Sequence, residues 1–222
     1  MINNRGGFLT IGQSPRDDVI SEIKPLLNPG AEIIQYGLLD DLSPQEIQAL
    51  APIKNETLLV SRLMDGTQIK LGEKKISALL PNAVDLMKTQ MHVNVVGVLC
   101  THEFSQMKFS LPTIFPFTSL QFLLEQVLEV ESLGVVVPSE SQIETAQKKW
   151  GEGLTTVEAK SPYAGGKPWQ EIAESFAQKK VSVIVLDCIG YTKKDRQAVQ
   201  NAYPIPTLLP RTLLAYAINQ LF

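Results

Sequence analysis

The sequence predicts an α/β protein of two pseudosymmetric Rossmann-like halves, with mostly parallel sheets and a crevice between the halves. Three observations predict it. Short apolar runs alternate with amphipathic helical patterns along the 222 residues, the rhythm of a mostly parallel sheet covered on both faces. Several runs are continuously apolar, as strands buried on both faces are. The order of elements also repeats.

In chain order, strands are expected at Phe8–Ile11, Glu32–Tyr36, Leu58–Ser61, Asn94–Leu99, Thr113–Phe115, Gly134–Val137, Val181–Leu186 and Thr207–Leu209. Turn residues bound each one. Helices are expected at Arg16–Leu27, Lys74–Thr89, Ser119–Glu131, Ser141–Trp150, Pro168–Lys179, Lys194–Ala202 and Arg211–Leu221, where apolar residues recur at helical spacing. Asp65-Gly66, inside Met64–Gly72, is a good hairpin turn and marks a small antiparallel excursion.

The repeat is visible in three places. Gly7-Phe-Leu-Thr-Ile-Gly-Gln-Ser-Pro has a counterpart in Gly134-Val-Val-Val-Pro-Ser-Glu-Ser-Gln. VNVVGVLC, ending at Cys100, matches VSVIVLDC, ending at Cys188. LPTIFPFTSLQFLLEQV, from Leu111, matches IPTLLPRTLLAYAINQL, from Ile205, through strand, turn and helix. Any two βαβ units share such a rhythm, but one cysteine per half at the same strand end favours duplication. The halves are drawn at 1–117 and 118–210, with 211–222 a C-terminal helix packing back on the first.

Composition excludes several functions. With 44% hydrophobic and 19% charged residues the chain is an ordinary globular sequence. A net charge of −3 gives no general attraction to phosphate backbones, so nucleic acid is not an expected partner. No apolar run approaches the roughly 20 residues of a membrane helix, and the N-terminus lacks the apolar stretch of a signal peptide. A cytoplasmic location is expected, with both cysteines as thiols. Gly165-Gly166-Lys167-Pro168 lacks the spacing of a phosphate loop. His102-Glu103 lacks the second histidine of a zinc helix, and with His92 elsewhere no metal spacing emerges. Neither a Gly-x-Ser-x-Gly elbow nor a Gly-x-Gly-x-x-Gly fingerprint occurs, so neither cofactor nor metal is expected.

In open parallel sheets, ligands bind outside the carboxyl ends of strands. Gly12–Arg16, Cys100–Glu103, Ser139–Ser141 and Cys188–Thr192 leave such ends. Two opposed thiols suit proton abstraction beside a carboxylate, one sulfur removing a proton and the other returning one. The helix starts near Arg16 and Ser141 offer backbone N–H groups to a carboxylate. Gln13, Ser14, Ser139 and Ser141 add side-chain donors, and Arg16 adds a charge that is misplaced in a first helical turn unless an anion is near. Thr101, Tyr191 and Thr192 complete the expected ligand-binding set. Plainer roles compete: a free cysteine is often a small buried hydrophobe, and Ser14-Pro15 and Ser139 suit helix caps. His102 is placed to tune Cys100 or simply to be solvated. Arg62 and Asp65 border the hairpin as surface residues or lid contacts, and Arg211 opens the last helix at the crevice edge. Alternation sends Asp187 away from Cys188, so it is not the partner base.

LTIGQSPR, YGLLDDLS from Tyr36, SRLMDGTQ from Ser61, LGVVVPSESQ, QKKW at Gln147–Trp150 and VLDCIGYT from Val185 together resemble the AroM family over nearly the whole length. That family's name implies little about chemistry. More distantly, two halves with a cysteine in each resemble the aspartate/glutamate/hydantoin racemase superfamily, which includes maleate isomerase and arylmalonate decarboxylase. The resemblance implies cofactor-free chemistry with Cys100, followed by Thr101, and Cys188 as the catalytic positions, and Ser14 and Ser139 in carboxylate-binding loops. Thr101-His102 and Ile189-Gly190-Tyr191-Thr192 depart from the residues that commonly hold a substrate amine, which argues against amino acids as substrates.

The expected function is a cofactor-independent isomerase, racemase or lyase acting on a small carboxylate, with Cys100 and Cys188 as acid/base pair or one of them as nucleophile. The alternative is a non-catalytic small-molecule binding or sensing protein of the same fold. A protein-docking role ranks below both, and homodimerisation is left open.

Overall fold

The computed structural model describes residues 4–104, 107–128 and 130–222. Contacts divide the chain into two compact units, Met1–Thr118 with Arg211–Phe222, and Ser119–Pro210.

The first unit is built on a four-stranded parallel sheet in the order β2-β1-β5-β6. Its strands are β1 (Arg5–Thr10), β2 (Glu32–Gly37), β5 (Val95–Leu99) and β6 (Thr113–Ile114). Between β2 and β5 lie helix α2 (Pro44–Ala49), a hairpin of β3 (Leu58–Arg62) and β4 (Gln68–Gly72), and helix α3 (Glu73–Thr89). The hairpin turns at Asp65-Gly66, with Arg62 opposite Gln68. The central strands β1 and β5 bury both faces. On one, Val96, Val98 and Cys100 join Ile76, Leu80 and Val84 of α3 in a continuous core. On the other, helix α8 (Pro210–Asn219) lies so close that a Cβ at Gly97 would touch Leu214 and Ile218.

The second unit repeats the design. Its parallel sheet runs β10-β9-β7-β8, from β7 (Leu133–Val137), β8 (Thr155–Ala159), β9 (Val183–Leu186) and β10 (Thr207–Leu208). Matching β1, β2, β5 and β6 to β7, β8, β9 and β10 makes the two strand orders identical. Helices α5 (Ile143–Trp150), α6 (Trp169–Gln178) and α7 (Lys193–Ala202) form its connections. Phe176 and Ile172 of α6, Val199 of α7, and Val136, Ile184 and Cys188 share one core.

Several boundaries differ from the sequence expectation for local reasons. The helix expected over Arg16–Leu27 is α1 (Asp17–Ile23), and it tightens into a 3-10 turn at Lys24–Leu26 because Pro25 has no N–H to continue the ladder. The helix expected at Ser119 begins earlier, as α4 (Pro116–Phe122), because proline suits a first helical position. It widens into a π turn at Leu123–Val127, and Glu129, within the expected range, lies outside the described residues. Two elements were not expected. Helix α2 carries a full capping box between Ser43 and Glu46, and β8 is the counterpart of β2.

Among the described residues, no helix is long and apolar enough to cross a membrane.

Candidate functional site

Both cysteines end matching strands. Cys100 directly follows β5, and Cys188 follows β9 by two residues. Each is nearly enclosed, with 8% and 6% of its surface exposed, and each side chain belongs to its unit's core on the α3 or α6 side of the sheet. Both are free thiols. The Cys188 sulfur accepts the Gly190 N–H at 3.4 Å. A hydrogen bond donated to sulfur favours the thiolate, the form that attacks or removes protons. Asp187 points the other way, as alternation requires. It accepts Lys149 Nζ at 2.9 Å and Trp150 Nε1 at 2.7 Å in a pair that is almost wholly buried. Two sequence motifs, QKKW and VLDC, are thereby one contact.

The expected carboxylate loop of the first unit contains a carboxylate of its own. Ser14 donates both its backbone N–H, at 2.7 Å, and its hydroxyl, at 2.6 Å, to Asp40, and Gly37 N–H adds a third bond at 2.8 Å. Gln13 is likewise engaged. Its backbone N–H reaches Arg62 O, and its side chain spans from Leu39 O to Met64 N–H. Both placements depart from the expectation of donors presented to a ligand: Asp40, 26 residues away, accepts from Ser14, and the carbonyls of Arg62 and Leu39 accept from Gln13.

Arg16 also differs from expectation. Its guanidinium is 3% exposed and grips Asp18 with two bonds of 2.9 and 2.8 Å. The anion that offsets this cation in the first helical turn is therefore an internal one. Arg62 and Arg211 join the same group, Arg62 at 3.5 Å from the Asp18 carboxylate and Arg211 on the Asp18 carbonyl at 3.0 Å and near Glu22 at 3.4 Å. Burial alone would raise the Asp18 pKa, but the Arg16 bonds and the fields of Arg16, Arg62 and Arg211 lower it below its ordinary 3.8. Arg211 is 1% exposed, a buried clamp from α8 to α1. Arg62 closes the hairpin by donating to Gly66 O. Asp65 accepts Thr67 N–H at the exposed turn.

Thr101 is buried beside Cys100. His102 is half-buried, 3.9 Å from Glu73 and edge-on to Phe104, so it is packed rather than solvated. In the second unit, the Ser139 and Ser141 hydroxyls bond each other at 2.9 Å on the surface, and Gln142 N–H returns to Ser139 O. Of the expected donors Ser141 is exposed, whereas Ser139 is half-buried like Gln13 and Ser14. Tyr191 and Thr192 are not placed as ligand contacts. Tyr191 is fully buried, and its hydroxyl donates to Lys160 O at 2.5 Å. Burial, with the nearby charges of Cys188 and Asp187, raises its pKa well above 10.0. Thr192 caps α7 through a capping box with Asp195. Both hold the Cys188 turn rather than line it.

Among the described residues, no group of three or more acidic, histidine or cysteine side chains is arranged to hold a metal ion.

Known proteins place this arrangement in context. The allantoin racemase of Pseudomonas fluorescens has a TM-score of 0.61 at 14% identity, the match covering 98% of this chain and 90% of that one. The glutamate racemase of Aquifex pyrophilus gives 0.57 at 10% identity over 98% and 84%. An unliganded arylmalonate decarboxylase gives 0.54 at 13% over 98% and 91%. At such identities the likeness shows a common fold. Comparison with curated proteins finds no match. A profile described as AroM protein matches residues 7–222, so the chain belongs to the AroM family.

Proposed function

We propose that this protein is a cofactor-independent isomerase, racemase or lyase acting on a small carboxylate, with Cys100 and Cys188 as its acid/base pair or one of them as nucleophile. The observation that carries this reading is positional: one free thiol sits at the end of each of two matching strands, β5 and β9. The fold it shares with racemases and a decarboxylase supports the same class. In a racemisation, one thiolate takes the proton from the carbon next to the carboxylate, and the other thiol delivers its proton to the opposite face. The Gly190 N–H on the Cys188 sulfur supports that residue as the base.

The test is exchange in heavy water, followed by proton NMR across a panel of hydroxy acids, dicarboxylic acids, hydantoins and amino acids. Deuterium is expected at the α-carbon of a non-amino carboxylate. Cys100→Ser or Cys188→Ser alone should largely abolish it, because a hydroxyl does not ionise at neutral pH. Exchange that persists in the double variant overturns the reading.

A second reading, a binding or sensing protein, is favoured by Asp40, which already fills the Ser14 and Gly37 donors. A binder would show ligand-induced thermal stabilisation that survives both cysteine substitutions.

A further inference from the structure

A segment between β8 and α6 is held with unusual care. Lys160 N–H bonds Val137 O, and Lys160 O accepts the buried Tyr191 hydroxyl. The Lys160 ammonium closes the loop on Lys167 O at 2.7 Å and lies over the Trp169 ring. Within it, Ser161 Oγ accepts the N–H groups of Tyr163 and Ala164 at 3.1 and 3.0 Å, and Ser161 bridges to Gly165. The residue this turn presents is Tyr163. It is half-buried, where Tyr191 is wholly enclosed.

The Tyr163 phenol rests on Gly190, the residue whose N–H bonds the Cys188 sulfur. A Cβ at Gly190 would overlap the phenol oxygen and lie 2.5 Å from Cζ and 2.8 Å from Cε1, so only glycine admits the ring there. The sequence therefore gives up a side chain beside the thiol and builds a pinned loop, and together they set one phenol at the Cys188 turn. A hydroxyl on a half-buried ring carried by a pinned turn suits a ligand-facing donor, since Tyr adds a hydrogen bond at little entropic cost.

We propose that Tyr163 is a further residue of the Cys188 site, a specificity residue whose hydroxyl donates to the carboxylate of a ligand held at that sulfur. This rests on the reading of Cys188 as a site residue given above. It adds the group that selects a carboxylate over an uncharged analogue.

The test compares two alkylating reagents, iodoacetate and iodoacetamide, which differ only in carrying a carboxylate or an amide. In each, the thiolate sulfur displaces iodide from the CH2 carbon. Cys100→Ser leaves Cys188 as the sole cysteine, so mass spectrometry reads one site. The iodoacetate-to-iodoacetamide rate ratio in the folded protein should exceed that of glutathione. Tyr163→Phe should lower the ratio about tenfold, the size of one charge-assisted hydrogen bond. The iodoacetamide rate and its pH profile should stay unchanged, since the Gly190 N–H still holds the sulfur. Gly190→Ala, which displaces the ring while keeping the hydroxyl, should also lower the ratio.

An unchanged ratio in Tyr163→Phe overturns the proposal and leaves Cys188 as a site residue. Equal changes in both rates assign Tyr163 to packing and overturn it too. A Cys188 that resists both reagents until the protein unfolds overturns the reading of Cys188 itself, and this proposal with it.

Discussion

The two units share a strand order and differ in how their polar loops are held. In the first, the loop after β1 is cross-linked by distant side chains: Asp40 to Ser14, Gln35 to the Arg16 N–H, and Gln13 to Met64 of the hairpin. In the second, the matching loop after β7 has the local contact between Ser139 and Ser141, and a buried ionic anchor lies elsewhere, between Lys149, Trp150 and Asp187. The crossover after the cysteine differs as well. It is α7 in the second unit and lacks a helix among the described residues of the first. Apolar strands that must be buried on both faces tolerate little change, while strand-end loops are satisfied in many ways. The two units thus share the frame and differ at its edge.

That contrast can be broken by substitution, and the largest effect should come from Asp187→Ala. It removes the carboxylate from a buried ion pair and leaves the Lys149 charge in a nearly closed site, a change that costs about 3–5 kcal/mol. Both tryptophans, Trp150 and Trp169, lie in the second unit, so the fall in urea midpoint should be plain in tryptophan fluorescence. An unchanged midpoint would deny the pair its anchoring role.

Next in size is Asp40→Ala. It strands three donors, at roughly 1–3 kcal/mol in total stability if water reaches some of them. It also opens them to an external anion. Malonate should raise the melting temperature of this variant more than that of the parent, measured by circular dichroism. Equal shifts would mean that the loop after β1 has no capacity for a ligand carboxylate.

Smaller again are the effects of two capping boxes found among the described residues, one in each unit. Ser43→Ala and Thr192→Ala should each cost about 1 kcal/mol. Thr192→Ala alone should change the tryptophan fluorescence of the native state, because Asp195 also accepts the Trp169 indole N–H.

The gentlest perturbation is acid. Asp18 has a folded pKa depressed below its unfolded value, so its contribution is full above about 3.8 and is lost as pH falls through the lower folded value. Asp18→Asn should flatten the acid limb of the stability profile. A parallel limb in parent and variant would show that the Arg16, Arg62 and Arg211 cluster contributes nothing through this carboxylate.

The sequence exposed the surroundings of the two cysteines unevenly. Their place at strand ends was legible because equal strands end in equal residues. Asp187 was legible because a strand has period two, so the neighbour of Cys188 must face away. Asp40 was not, since nothing in YGLLDDLS says which aspartate reaches Ser14. Tyr191 and Thr192 looked like ligand residues by their place after Cys188, yet burial and a capping box engage them. Tyr163 was not legible, because its partner Gly190 is distant in sequence.

What the sequence determined by itself was the arrangement of two parallel sheets, because apolar runs of strand length must be buried on both faces and a repeat in order imposes a repeat in topology. It also determined which strands end in a thiol. What only the tertiary structure decided was the state of the polar groups around those strand ends. The Ser14 hydroxyl, the Arg16 N–H and the Tyr191 hydroxyl find their acceptors in Asp40, Gln35 and Lys160, each on another segment of the chain. Hydrophobic periodicity is a local property of the chain, whereas hydrogen-bond satisfaction is settled only when distant segments meet.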